Sequence, residues 1–266
     1  MAQSSETVSG AAPAPQPDPG AVLEVQGLKK AFGGVHAVDG VSFEVRPAEV
    51  LAIVGDNGAG KSTMVKMISG AYRRDAGRIF WHGREVDLQS PDDARALGIE
   101  TMYQDLALVP DLDPPGNIFL GTEPQRRLLG LLPAIDRAAM RQRSQELLAR
   151  VKITLPSLEV PVRQLSGGQR QATAIARFLR AERAKLIIMD EPTASLGVQE
   201  QRKVLDLIEQ LEHQGVAVMV ISHNLDHVFS VADRILVLRG GKVAGIVSRA
   251  DVDRQQVVSL IIGGTV

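Results

Sequence analysis

The segment Gly55-Asp56-Asn57-Gly58-Ala59-Gly60-Lys61-Ser62 fits the pattern G-x-x-x-x-G-K-[ST]. Glycines at this spacing let a loop curl until its backbone N–H groups point inward and cradle phosphate oxygens. The lysine of the pattern reaches β- and γ-phosphates, and the hydroxyl after it ligates Mg²⁺. Thr63 adds a second hydroxyl toward the phosphates. Asp190 and Glu191 end the apolar run Leu186–Met189. Strand ends in a parallel sheet open into the crevice where ligands bind. Asp190 is therefore expected to hold Mg²⁺, directly or through water, and Glu191 to polarise an attacking water. Leu165-Ser166-Gly167-Gly168-Gln169 forms a third element. Ser166 reads as a helix N-cap, and the two glycines expose N–H groups at a positive helix end, which makes a second anion site. Alone, the acid pair would pass for a solvated turn and the serine–glycine run for a plain cap. The Gly55–Ser62 loop upstream gives both a chemical reading.

These residues need a scaffold that brings them together. Val50–Val54 is a continuous apolar run, as expected of a strand buried on both faces, and it leads straight into the glycine loop. A helical pattern follows over Ser62–Ser69. Later segments alternate: a helix over Gly167–Arg180, a buried strand over Leu186–Met189, a helix over Val198–His213, a buried strand over Val216–Ile221 and a helix over Leu225–Ala232. This alternation predicts a parallel sheet covered by helices. Val22–Val25 before Gly27, Val41–Val45, and a hairpin of Arg78–Trp81 and Arg84–Val86 read as an antiparallel portion. Arg234–Leu238 and Val243–Ile246 form another strand pair around Gly240-Gly241. Ser90–Leu97 carries helix-start signals. From Asp111 to about Pro161 prolines recur around a helical stretch at Asp136–Val151, which predicts a helical insertion into the α/β domain.

Composition narrows the function classes. Among 266 residues the formal net charge is -1 and aromatics are 3%, which argues against nucleic-acid or anionic-membrane binding by general electrostatics or base stacking. The chain has no cysteine, so disulfides, thiolate catalysis and cysteine-ligated metals are excluded. Apolar runs fall far short of the roughly 18 residues that span a bilayer, so work at a membrane requires a partner that spans it. Met1–Gly20 is rich in Ser, Ala, Pro and Gly and lacks the apolar core of a secretory signal. It is expected to be a disordered leader. Residues 21–266 are then one domain, with a helical subdomain inserted over about 105–165.

Taken in this order, the motifs resemble the ABC ATPase family, whose LSGGQ signature Leu165–Gln169 matches in full. The resemblance spans about Leu23 to Ile262. It implies an α/β fold: a P-loop NTPase parallel-sheet core with an antiparallel β subdomain and a helical insertion subdomain. It implies an ATPase coupled to transmembrane transport, using ATP and Mg²⁺. It also implies a head-to-tail homodimer in which Ser166, Gly167, Gly168 and Gln169 of one subunit close over ATP held by the partner's glycine loop. Gln104, in Met102-Tyr103-Gln104-Asp105, looks like the Q-loop glutamine that reaches Mg²⁺ and the attacking water. His223 looks like the switch histidine that contacts the γ-phosphate. By the same resemblance Glu191 orients or deprotonates water, while Lys61 and His223 neutralise developing charge. Phe32 stands where the family stacks an aromatic ring on adenine.

Departures from the family pattern are informative. The usual Ser-Ala-Leu-Asp is replaced by Ala194-Ser195-Leu196-Gly197, so a carboxylate is lost at 197. Asp105 stands where Glu is commoner. With Asn117–Gly121 and Ile221–Asn224, these variants are similar to ATPases of monosaccharide importers. The implied setting is the cytoplasmic face of the inner membrane. There the chain would be held peripherally by integral membrane permease subunits and served indirectly by a solute-binding protein, with no nucleic acid. One set of motifs and no long extension after Ile262 point to a single-cassette subunit without a regulatory domain. A soluble ABC ATPase acting on nucleic acid or ribosomes, and an exporter ATPase, remain the alternatives at this level.

Overall fold

The computed structural model of the chain describes residues 17–128, 132–180, 184–194 and 196–264. The leader expected over 1–20 lies outside the described residues as far as 16. Residues 17–20 join the fold, with Asp18 N–H donating to Glu24 Oε2 at 2.6 Å.

A four-stranded antiparallel sheet holds β1 (Leu23–Phe32), β2 (Val35–Val45), β4 (Ala76–Trp81) and β5 (Arg84–Val86) in the order β2-β1-β4-β5. β1 does not stop at Gly27. That glycine takes φ 60, the register slips between Val25 and Leu28, and its N–H donates to Ser42 Oγ at 2.8 Å. A bulge with a glycine at positive φ lets the strand bend and continue, which an alternation pattern reads as an end.

The second sheet has six strands in the order β12-β11-β3-β10-β9-β6. They are β3 (Val50–Val54), β6 (Ile99–Met102), β9 (Leu186–Asp190), β10 (Ala217–Ile221), β11 (Arg234–Arg239) and β12 (Lys242–Ser248). β3, β10, β9, β6 and β11 run parallel, and β12 returns antiparallel. All residues of β3, β9 and β10 are buried, as their unbroken apolar runs require. Side chains alternate between two layers. Leu51 and Ile53 pack with Met64, Met67 and Ile68 of α1 (Lys61–Ile68), under the antiparallel sheet. Val50, Ile187 and Val218 pack against α5 (Gly167–Leu179) and α6 (Val198–His213) on the other side. Ala52 and Val54 meet α7 (Leu225–Val231) and α8 (Arg254–Ile262).

α2 (Pro91–Leu97) precedes β6 and opens with a Ser90–Asp93 capping box. The inserted region is less helical than expected. It contains α3 (Pro114–Ile118) and α4 (Arg137–Val151), but between them β7 (Gln125–Leu128) pairs antiparallel with β8 (Leu132–Ile135). Proline is tolerated at an edge position of such a two-stranded ribbon, which explains Pro133 inside β8. Among the described residues, no helix is long and apolar enough to cross a membrane.

Candidate active site

β3 delivers the chain into the glycine loop at the C-terminal edge of the six-stranded sheet. Gly55, Gly58 and Gly60 take φ of 149, 83 and 100. A Cβ at Gly55 would collide with the carbonyl of Leu238, and one at Gly60 with that of Ala37. The loop is thus packed between the ends of β11 and β2, backbone against backbone. It is also hydrogen-bonded there: Gly241 N–H donates to Ala59 O at 3.1 Å, and Asp39 N–H to Gly241 O at 2.8 Å. Gly60 caps α1 without a side-chain hydrogen bond, so the first N–H groups of that helix face the loop's concavity.

Lys61 folds back along the loop, and its Nζ donates to Gly55 O at 2.7 Å and Asp56 O at 2.9 Å. Burial lowers its pKa, opposed by the charges of Glu191, Asp190 and Asp56. Asp190 ends β9 at 5% exposure. Burial raises its pKa, a hydrogen bond with Ser62 works against that, and the Glu191 charge adds to the rise. Glu191 takes φ 53, a left-handed conformation that costs a non-glycine residue roughly 1–2 kcal/mol. The turn is held by its N–H donating to Ile221 O at 2.9 Å. Its Oε1 meets His223 Nδ1 at 2.8 Å and accepts the His223 N–H at 3.1 Å. Glu191 is 12% exposed and His223 is 75% exposed, so one end of this pair is anchored and the other faces the opening.

Asn57, Gly58, Ala59, Gly60, Lys61, Ser62, Thr63, Gln104, Asp190, Glu191 and His223 all wall one cleft of about 880 Å³. Gly55 and Asp56 contribute through the carbonyls that hold Lys61. The distances that matter for phosphate chemistry, loop to lysine to paired carboxylates to histidine, are therefore closed within one chain.

A family model described as ABC transporter matches residues 38–194. The chain belongs to the ABC transporter family. It is 48% identical over 222 residues to the xylose/arabinose import ATP-binding protein XylG of Sulfolobus acidocaldarius, covering 84% of this chain and 86% of that one. It is 43% identical over 245 residues to the fructose import ATP-binding protein FrcA of Rhizobium meliloti, covering 91% and 94%. The ribose import ATP-binding protein RbsA 1 of Rubrobacter xylanophilus is also 43% identical, but the match takes in 48% of its length. Among solved structures, a nucleotide-free ATP-binding cassette from an ABC transporter has a TM-score of 0.77 at 26% identity, covering 91% of this chain and 99% of that one. The dimeric bacterial ABC transporter cassette MJ0796 has a TM-score of 0.74 at 25% identity, covering 85% and 98%. The fold is the ABC ATPase fold.

In this ABC transporter chain the signature does not line the cleft. Ser166 and Gln169 form a reciprocal capping box, with Gln169 N–H donating to Ser166 Oγ at 3.3 Å and Ser166 N–H to Gln169 Oε1 at 2.9 Å. Gly167 and Gly168 open α5 behind it. None of Ser166, Gly167, Gly168 and Gln169 touches the phosphate loop's cleft. Phe32 is also off the cleft wall. Its ring, 47% exposed, stands edge-on to Tyr72 at 5.6 Å. The wall there is made by Val35, paired across the strands from Phe32, with His36 and Ala37. Ser195 lies outside the described residues.

Two positioning contacts escaped the sequence reading. Gln171, one turn into the signature helix, is buried and donates its amide to Pro192 O at 2.7 Å. Thr193 Oγ1 lies 3.0 Å from His227 Nδ1, tying the turn after the acid pair to α7. Both contacts join residues distant in sequence, so no local pattern announces them.

The donors present fit Mg²⁺. That ion takes one or two carboxylates plus substrate phosphates, not an all-protein cage. Asp190 with the Ser62 hydroxyl and the neighbouring Gln104 is such a partial set. Among the described residues there is no cluster of three or more His, Cys, Asp or Glu side chains that would make a closed site.

Proposed function

We propose that this chain binds ATP with Mg²⁺ and hydrolyses it within a head-to-tail pair of cassettes, and that the cycle drives a membrane permease importing a monosaccharide. The observation that carries the reading is the single cleft in which the glycine loop, Lys61, Asp190, Glu191, Gln104 and His223 converge.

Loop N–H groups, the start of α1 and Lys61 bind the phosphates. Ser62 and Asp190, with Gln104, would hold the metal ion, which neutralises phosphate charge when bound. Glu191 takes the proton of the attacking water as its oxygen bonds to the γ-phosphorus. The bond to the β–γ bridging oxygen breaks, and ADP and phosphate leave. His223 holds Glu191 in place and presents its own exposed face to the γ-phosphate. Catalysis here is positioning and charge stabilisation. Phe32 and Val35 would flank the base.

The signature cap stands apart from the cleft of its own chain, which supports its use on a partner's nucleotide. Names of relatives carrying xylose/arabinose, fructose and ribose import support the cargo class. With no crossing helix among the described residues, attachment at the membrane would be peripheral, through permease subunits at its cytoplasmic face, and the solute-binding protein would act on the far side.

Reconstitution with its permease in liposomes tests the whole. Accumulation of a radiolabelled monosaccharide that requires internal ATP and Mg²⁺ is the expected result. Hydrolysis stimulated by nucleic acid or ribosomes and indifferent to the permease would overturn it.

A further inference from the structure

The side chain of Glu200 lies against two glycines that belong to different motifs. A Cβ built on Gly197 would sit 2.6 Å from Glu200 Oε2, and one built on Gly168 would sit 3.2 Å from Glu200 Cγ. Gly168 is in the signature turn. Gly197 is the residue that replaces the family's usual aspartate after the acid pair. Glu200 is the acid in the first turn of α6, whose N-cap Gly197 offers no side-chain oxygen. An acid there faces the positive end of its own helix. An ordinary surface glutamate would extend into water. This one folds back over the α6 start and against the α5 start, half-buried, and makes no hydrogen bond or ion pair with any described residue.

We infer that Glu200 supplies the carboxylate missing at 197, and that it is a positioning residue which sets the signature turn against the segment following Asp190 and Glu191. The inference rests on the ATPase reading above. Two facts make the exchange specific. The space a side chain at 197 would need is filled by the Glu200 carboxylate, so the glycine and the glutamate are matched. An aspartate at 197 would put a second negative charge at contact distance from the first. Through Glu200, movement of the post-Glu191 segment is passed to Gly168, and so to the helix start proposed to receive the partner's nucleotide.

The test is a double-mutant cycle in the full-length protein, reading kcat, the KM for ATP and the Hill coefficient. Glu200→Ala and the nearly isosteric Glu200→Gln are each expected to lower kcat about tenfold and flatten cooperativity, with KM changed less than threefold. Gly197→Asp alone is expected to lose a similar factor through crowding. Gly197→Asp combined with Glu200→Ala is expected to regain most of the wild-type rate, because one carboxylate again serves one place. Retained wild-type kinetics in Glu200→Gln, or losses in the double variant equal to the product of the single losses, would overturn the positioning role while wild-type turnover upholds the ATPase reading. A wild-type protein that hydrolyses no ATP would overturn both.

Discussion

Gln171 donates its side-chain amide to the carbonyl of Pro192 at 2.7 Å inside the protein, which joins the signature helix to the turn that follows the two carboxylates. The same amide nitrogen lies 3.9 Å from Met102 Sδ, at the end of the strand that leads to Gln104. One side chain of the signature helix therefore touches both the turn after the acid pair and the strand leading to Gln104. Gln171→Leu keeps the volume and removes the donor, leaving a buried carbonyl unsatisfied at about 1–3 kcal/mol. Chemical denaturation is expected to show that loss, and steady-state hydrolysis a kcat down about tenfold with KM little changed. A variant as stable and fast as wild type would show that the contact is idle.

Glu191→Gln keeps the shape of the acid and removes its basicity. ATP binding, followed by calorimetry, is expected to persist, while turnover drops by about 10²–10⁴-fold, the usual contribution of a general base. His223→Ala removes the imidazole contact to Glu191 Oε1, leaves the backbone N–H contact in place, and removes a donor to the γ-phosphate, for a loss near 10²-fold. If Glu191→Gln turned over at the wild-type rate, the assignment of the base would fail.

Gly60→Ala adds a methyl that collides with the Ala37 carbonyl at a φ of 100 that alanine rarely adopts. The expected cost is about 1–3 kcal/mol of stability. Nucleotide affinity should fall more steeply than stability, because the loop cannot keep its curl. Fluorescent ATP-analogue titration alongside urea unfolding separates the two effects.

Glu100 supplies a pH signature away from the chemistry. Burial raises its pKa, although Arg95, Arg180 and Arg177 pull the other way. A carboxyl raised on folding favours the native state below its unfolded pKa, and that contribution is lost as pH rises through the folded value. Glu100→Gln, neutral throughout, is expected to melt higher than wild type at pH 7. The difference should shrink as pH falls into the range where Glu100 protonates. Thermal melts at pH 7 and near pH 4 read this directly, and a lower melting temperature for the variant at pH 7 would contradict it.

The sequence made the cradle readable because everything that shapes it is local. The glycines, Lys61 and Ser62 are adjacent, and the buried run of β3 fixes which way they point. Asp190 and Glu191 were equally legible, since a strand end in a parallel sheet has one destination. The β7–β8 ribbon was hidden by Pro133, which reads as a strand breaker and is harmless in an edge strand. The length of β1 was hidden by Gly27, whose bulge looks like a stop. Gln171 looked like one more polar residue on a helix, because its partner Pro192 is fixed only once α5 packs beside β9. The placement of Phe32 against Tyr72, with Val35 at the cleft, depends on strand register that periodicity does not specify.

The brace from Ala59 through Gly241 to Asp39 has a consequence for biosynthesis. The cradle is translated well before Gly241, the residue that bolts it to the antiparallel sheet. A nascent chain that has passed Ser62 but not Gly241 carries Lys61 on a loop still lacking its rear support. Nucleotide capture should therefore begin only after Gly241 has been translated, which makes ATP a natural reporter of the braced cradle.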